Sequence, residues 1–233
     1  MFKKLCIVIL LLFLLNGVNS IRLIDPISTE LTTDDYIGSA SPGSTLELIF
    51  SKELGKFDSL KINSELPSGF DTKVRDYLET IKVFITIPKD AINDTYSLNL
   101  TLSGKSTEDA DIYFIVKNGL LDASLNNYSN QTFVSSPASY TFTLINNSHA
   151  DDEFYLSALL PWYWLEEKGL AGNALGDHVI KINVPRKSTK EVTLTIYPQT
   201  HGEKIFDVVV NLTPKEEKKF SLKVDAKQTF IGK

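Results

Sequence analysis

Cysteine is almost missing from this sequence: the 233 residues include a single cysteine, Cys6. Cys6 lies in an apolar stretch near the N-terminus, and nothing after it can form a disulfide bond. The stability of the folded chain must therefore come from packing of its core.

Long apolar runs are also missing, except within the first twenty residues. There, Lys3 and Lys4 precede an apolar core from Leu5 to Leu15, and small residues follow up to Ser20. This order predicts a secretory signal peptide over residues 1–20, cleaved after Ser20, since the run is too short for a stable membrane span. A retained N-terminal anchor is the alternative. We expect a secreted protein, extracellular or at the cell surface, with no membrane span in the mature chain.

Positive charge is in deficit. The chain has 24 Lys and Arg against 29 Asp and Glu, a net charge of −5. Removal of Lys3 and Lys4 leaves 22 basic residues, so the mature net charge is −7. No basic patch stands out, which argues against nucleic acid and anionic bilayers as partners.

Residues for catalysis or metal binding are sparse. The three histidines are His149, His178 and His201. His149 stands beside the acidic run 151–153, but its spacing matches no calcium loop, and we predict a solvated loop without a metal. Neither of the other two belongs to a nucleophile–base motif. The acidic residues form no obvious facing pair, and no glycine-rich phosphate loop follows a strand, so we expect no catalytic residue and no cofactor.

In the rest of the sequence, apolar and polar residues alternate with a period of two, which is typical of half-buried strands. Strands at this spacing, separated by turns, predict an antiparallel sandwich or barrel. Only residues 71–80 and 165–173 could be helical. The clearest alternating segments are Leu46–Phe50, Val83–Ile87, Leu98–Leu102, Tyr140–Leu144, Ile180–Val184, Val192–Ile196, Phe206–Leu212 and Phe220–Val224.

Four landmarks occur twice in the same order, which indicates an internal repeat. The first two pairs are SPGSTLELIF with SPASYTFTLI, and LPSGF (66–70) with LPWYW (160–164). The last two are TIKVFITIPKD (80–90) with EVTLTIYPQT (191–200), and TYSLNLTLSG (95–104) with IFDVVVNLTP (205–214). The turn at 117–119 lies between the copies, so we predict domains at 21–118 and 119–233.

The landmarks carry a family resemblance. A proline-containing turn before the first long strand, the strand end LPSGF and the later IPKDAINDTYSLNLTL resemble the Ig-like domain associated with NPCBM modules and alpha-galactosidases. The second half, with VPRKSTKEVTLTIYPQTHGEKIFDVVVNL, is similar to the same group. The resemblance covers most of 40–104 and 136–224, and the second copy departs from it at Tyr163, where glycine is expected. It implies an all-β chain of two tandem Ig-like antiparallel β-sandwiches, acting as a non-catalytic accessory or surface module of an extracellular protein.

N-glycosylation sequons are abundant. Six asparagines have Ser or Thr two residues on, against roughly two expected by chance from the composition. This excess predicts surface glycosylation. Alternation places Asn99 and Asn211 on the outer faces of their strands. The six candidates are Asn93, Asn99, Asn127, Asn130, Asn146 and Asn211.

The cluster LPWYW raises the question of a binding platform. Aligned by its proline, Trp164 falls opposite Phe70, so we predict a core role for it. Trp162 and Tyr163 have no aromatic counterpart in the first copy, which makes them the candidate ligand-binding residues. The alternative for these two is a contact with the first domain or with the 165–177 loop.

Four functions remain open, and the fourth of them is an enzyme. The first is a structural or adhesive module whose partners are other envelope or extracellular proteins. The second is a carbohydrate- or peptide-binding accessory module, with glycans among its partners. The third is a two-domain secretion or pilus chaperone, for which IYFIV (112–116) would be the strand offered to clients.

Overall fold

The computed structural model describes residues 21–31, 34–53, 56–64, 66–160, 164 and 179–228. These residues form seventeen strands, and none of them lies in an α-helix. No helix in the described ranges is long and apolar enough to cross a membrane. The first nine strands are β1 (Ile21–Asp25), β2 (Thr29–Leu31), β3 (Asp35–Ala40), β4 (Thr45–Ser51), β5 (Phe57–Ile62), β6 (Asp71–Asp76), β7 (Thr80–Thr86), β8 (Asp94–Gly104) and β9 (Thr107–Val116).

The other eight strands follow the turn at 117–120. They are β10 (Leu121–Leu125), β11 (Ser129–Phe133), β12 (Ala138–Asn146), β13 (Asp152–Leu159), β14 (Val179–Val184), β15 (Ser188–Ile196), β16 (Gly202–Thr213) and β17 (Glu216–Lys227).

The strands form two sandwiches of two sheets each. In the first sandwich, a sheet of order β2-β1-β4-β7-β6 faces one of order β3-β9-β8-β5. In the second, a sheet β10-β12-β15 faces a sheet β11-β17-β16-β13-β14. Each sandwich encloses its own cluster of buried apolar residues, supplied by the inward positions of the alternating strands. The chain is therefore an all-β tandem of Ig-like sandwiches.

Two strand pairs are parallel, although we predicted sandwiches that are antiparallel throughout. β3 runs parallel to β9 in the first sandwich, and β11 runs parallel to β17 in the second. In both copies the N-terminal segment is divided between the sheets. β1 and β10 pair antiparallel within one sheet, and the next part of the chain crosses to the other sheet and lies along the last strand. The alternation of apolar and polar residues cannot reveal whether two strands run parallel or antiparallel, because the alternation is the same in both cases.

Residues 71–80, a helical candidate in the sequence, contain no helix. Residues 71–76 form β6, which pairs with β7 over six residues. All six residues of β6 are exposed, and even the core-side Val74 retains 39% exposure. Because β6 is an edge strand whose residues are all exposed, it has no buried apolar face, and the period-two signal is absent there. The second helical candidate, 165–173, lies outside the described residues.

Candidate functional site

The two candidate ligand-binding residues, Trp162 and Tyr163, lie outside the described residues. Trp164 is described and is only 5% exposed within the second core, which confirms its predicted core role. Its counterpart Phe70 packs on the first core, with its ring centroid 4.7 Å from that of Tyr96. The common aromatic of the LPSGF and LPWYW segments is therefore structural.

The six sequons differ in the state of the side-chain amide that would carry a glycan. The Nδ2 of Asn99 donates to Asp111 at 2.7 Å, and that of Asn130 donates to the Ser139 carbonyl at 3.1 Å. Three other sequons, Asn93, Asn127 and Asn211, have an Nδ2 without a protein partner in the described part of the chain. The absence of a hydrogen bond to break at Nδ2 thus favours these three for glycosylation.

Asn146 is a correction to the predicted set. Its side chain is fully buried, and its Nδ2 donates to the carbonyls of Ala150 and Val184 at 2.9 and 3.0 Å. Its Oδ1 accepts from the Ser148 N–H at 2.8 Å. A glycan on this nitrogen would break both donated bonds and could not fit in the folded domain, so the geometry argues against modification of Asn146.

The turn after Asn146 joins the two sandwiches. The His149 N–H donates to the Ser39 carbonyl at 2.6 Å, and the Ser39 N–H donates back to the His149 Nδ1 at 3.0 Å. The next residue, Ala150, is 1% exposed and belongs to the core of the first sandwich, not to that of its own. We call this turn, residues 147–151, the junction turn.

Further contacts surround the junction turn. Arg186 makes an ion pair with Asp25 of the first sandwich at 2.5 Å, and Thr45 forms an antiparallel bridge with Asp151. Gly38 has a φ of +141°, and a Cβ there would lie 2.9 Å from the Cβ of His149. A side chain at position 38 would therefore push the histidine out of its place.

These contacts overturn the prediction that His149 lies in a solvated loop. His149 is half-buried, and its ring lies perpendicular to that of Tyr36 with 6.1 Å between the ring centroids. Burial lowers the pKa of His149, and the nearby Lys187 and Arg186 cations lower it as well. Because Nδ1 accepts a hydrogen bond from the Ser39 N–H, this nitrogen must carry no proton.

The acidic run beside His149 is engaged by the protein itself. Asp151 accepts from the Arg186 backbone N–H at 2.9 Å, and Asp152 accepts from the Ser148 hydroxyl at 2.7 Å. Burial raises the pKa of Asp152 to about 6, against the opposing effect of the Ser148 hydrogen bond. Within the described residues, no three His, Cys, Asp or Glu side chains are placed to hold a metal ion.

A cleft of about 890 Å³ lies beside the junction turn, between the two sandwiches. The first sandwich contributes the turn 42–45 and Lys89, and the second contributes Asp151–Glu153, Tyr155, Asn183 and Asn211–Pro214. Gly43 has a φ of +87°, and a Cβ there would meet Pro214 at 3.2 Å. Sequence reasoning missed this site, because its walls come from separate segments spread between residues 42 and 214.

The strand nominated for a chaperone function is not a free edge. Residues 112–116 of β9 pair with β3 on one side and with β8 on the other. Donation of this strand to a client would require β3 to leave first.

No protein-family model matches the chain, and no curated protein matches it. Among solved structures, a chimeric titin Z1Z2 carrying a decorin-derived peptide is 10% identical, with a TM-score of 0.43 over 89% of this chain and 97% of that chain. A PapD-like domain of human CEP192 is 18% identical, with a TM-score of 0.31 over 46% of this chain and 86% of that chain. An endo-fucoidan hydrolase of glycoside hydrolase family 107 is 12% identical, with a TM-score of 0.36 over 92% of this chain and 30% of that chain. These likenesses concern the sandwich fold alone.

Proposed function

We propose that the protein is a secreted, N-glycosylated and non-catalytic module that serves a structural or adhesive role in the cell envelope or in an extracellular complex. Its partners would be other envelope or extracellular proteins. We further propose kinship with the Ig-like domain associated with NPCBM modules, on the motifs already described.

The observation that carries this proposal is that, in each sandwich, a strand near the start of the domain sequence pairs in parallel with the last strand of the domain. In the second sandwich, β11 and β17 pair in register from Ser129↔Lys223 to Phe133↔Lys227. Because the strands are parallel, the start of β11 and the end of β17 lie at opposite ends of the pair. Tension between these two points therefore loads all the hydrogen bonds between β11 and β17 together in shear, instead of opening them one by one. β3 and β9 repeat the arrangement in the first sandwich.

The junction turn adds a second reason. A flexible linker would leave the relative orientation of the sandwiches free, and relative motion is the default for tandem domains. Here the Ser39–His149 bonds, the buried Ala150 and the Arg186–Asp25 ion pair join the sandwiches directly. A fixed distance between the two ends of the chain is what a structural element needs.

The binding-module alternative is favoured by the cleft, whose walls combine Tyr155 with polar side chains from both sandwiches. A glycan array would detect free-saccharide binding by the full chain. Binding that disappears on substitution of a cleft residue such as Asn183→Ala would favour this second function over the first.

Single-molecule pulling tests the structural role. Because the chain after Cys6 has no cysteine, introduced cysteine pairs are unique attachment points. Attachment at Asn127 and Gln228 loads β11 against β17 in shear. Attachment at Glu203 and Asp225, which face each other across β16 and β17, peels that hairpin open. We expect a clearly higher unfolding force in the first geometry, and equal forces would contradict the proposal.

Location and partner need a separate experiment in the native host. Cell fractionation and protease shaving of intact cells should place the protein outside the cytoplasmic membrane. Chemical crosslinking before lysis should then link it to envelope or extracellular proteins. Recovery of the protein only inside the cell would contradict the proposed function.

A further inference from the structure

The sequon at Asn211 opens into the cleft between the sandwiches, which distinguishes it from Asn93 and Asn127 in exposed turns. Asn211 is half-buried on the outer face of β16 and lines the cleft. Its side-chain amide makes no hydrogen bond with the described residues. A group attached to its Nδ2 would therefore extend between the two sandwiches.

Resting on the proposed extracellular location, we propose that the cleft holds the N-glycan attached to Asn211, and that this glycan braces one sandwich against the other. In the modification, the Asn211 Nδ2 forms a bond to the anomeric carbon of an activated glycosyl pyrophosphate or phosphate donor. The bond from that carbon to the phosphate oxygen breaks, the phosphate leaves with the bonding electrons, and the amide loses one proton.

The walls of the cleft suit a saccharide. Tyr155 stands opposite Asn211 in the register of β13 and β16, and cross-strand neighbours have Cβ atoms about 5 Å apart. Tyr155 as a residue is 38% exposed, and its hydroxyl is already engaged with Glu153, so the ring face is left for the apolar face of the first sugar. The volume of about 890 Å³ lies in the range of sites that enclose small ligands.

Polar groups on both sides of the cleft can bind sugar hydroxyls. Asn183 on β14 and Lys89 in the first sandwich are exposed, and neither side chain has a hydrogen-bond partner among the described residues. Lys89 is the important member of the pair, because a bond from its ammonium to a glycan on β16 crosses between the sandwiches. The glycan would thereby add to the link that the junction turn makes.

The first test compares glycan release at two sites of the same protein. The full chain is secreted from a host with N-glycosylation, and mass spectrometry follows enzymatic release at Asn211 and at the exposed Asn127. We expect release from the native protein to be at least about fivefold slower at Asn211, the factor corresponding to one net hydrogen bond, and equal rates after denaturation. Equal rates in the native protein, or an unmodified Asn211 beside a modified Asn127, would overturn the inference.

The second test asks whether the glycan braces the sandwiches. Amide hydrogen exchange over residues 42–45 and 151–153 is compared in Asn211→Gln and in the matched control Asn127→Gln. We expect exchange to rise by about fivefold in Asn211→Gln alone. Unchanged exchange would overturn the bracing role. A chain that carries no glycan at any sequon would instead contradict the glycosylated module proposed above.

Discussion

At the scale of single residues, His149 couples the junction to acidity. The folded state lowers the pKa of this histidine by burial, so the folded chain binds its proton less tightly than the unfolded chain. Its contribution to stability is therefore complete above the ordinary value of about 6.5 and decreases as the pH falls below it. Protonation of Nδ1 would also place a second N–H donor against the Ser39 N–H, which already points at that atom, and the hydrogen bond between them would be lost.

His149→Leu should lower the free energy of unfolding at pH 7.5 by about 1–3 kcal/mol, since the Ser39 N–H loses its acceptor. His149→Asn keeps an acceptor near the position of Nδ1 but cannot titrate in this range, so it should retain most of the stability and no longer lose stability on acidification. Urea unfolding between pH 5 and 7.5 measures both effects. A loss of stability on acidification that survives in His149→Asn would point to another group.

The contribution of Asp152 to stability depends on pH in the opposite direction. Its pKa in the folded state is raised to about 6 by burial, above the ordinary value of 3.8. The wild type therefore loses stability as the pH rises from about 4 to 6, and the loss persists above that range. Asp152→Asn keeps an acceptor for the Ser148 hydroxyl, so it should be more stable than the wild type by about 1–3 kcal/mol at pH 8 and gain little at pH 4. Equal stabilities at pH 8 would contradict the raised pKa.

At the scale of elements, the junction turn depends on Asn146, which donates to Ala150 and Val184 and accepts from Ser148. Asn146→Ala would leave three buried backbone groups without these partners, so we expect a loss of about 3 kcal/mol or more. Asn127→Ala, in an exposed turn, should change stability by less than about 0.5 kcal/mol. Thermal unfolding of both variants provides the measurement, and equal effects would contradict this role for Asn146.

At the scale of the whole molecule, the two sandwiches have separate cores but share the junction turn. Expressed alone, residues 21–118 and 119–233 should each melt cooperatively, because each retains its own strands and core. The first half should melt about 5 °C lower than in the full chain for each kcal/mol lost with Ala150 and His149. Scanning calorimetry of the three proteins tests this. If neither half folds alone, the boundary at 118–119 is misplaced.

Much of the fold could be predicted because the signal is local. Strands such as β4 and β8 alternate apolar and polar residues, and the two copies present the same landmarks in the same order. Trp164 could likewise be placed in the core by comparison with Phe70. The edge strand β6 could not be recognised, since a strand whose residues are all exposed shows no alternation of apolar and polar residues in the sequence.

The amino-acid sequence by itself thus determined the strands that alternate apolar and polar residues, the faces that these strands bury and the presence of two copies of the unit. Only the tertiary structure decided the parallel pairs, the burial of Asn146 and the junction turn. Ser39 and His149 are 110 positions apart, and their contact depends on how two finished sandwiches meet. Local patterns record whether a side chain faces a core, whereas a contact between distant surfaces also depends on shape and direction that no local period encodes.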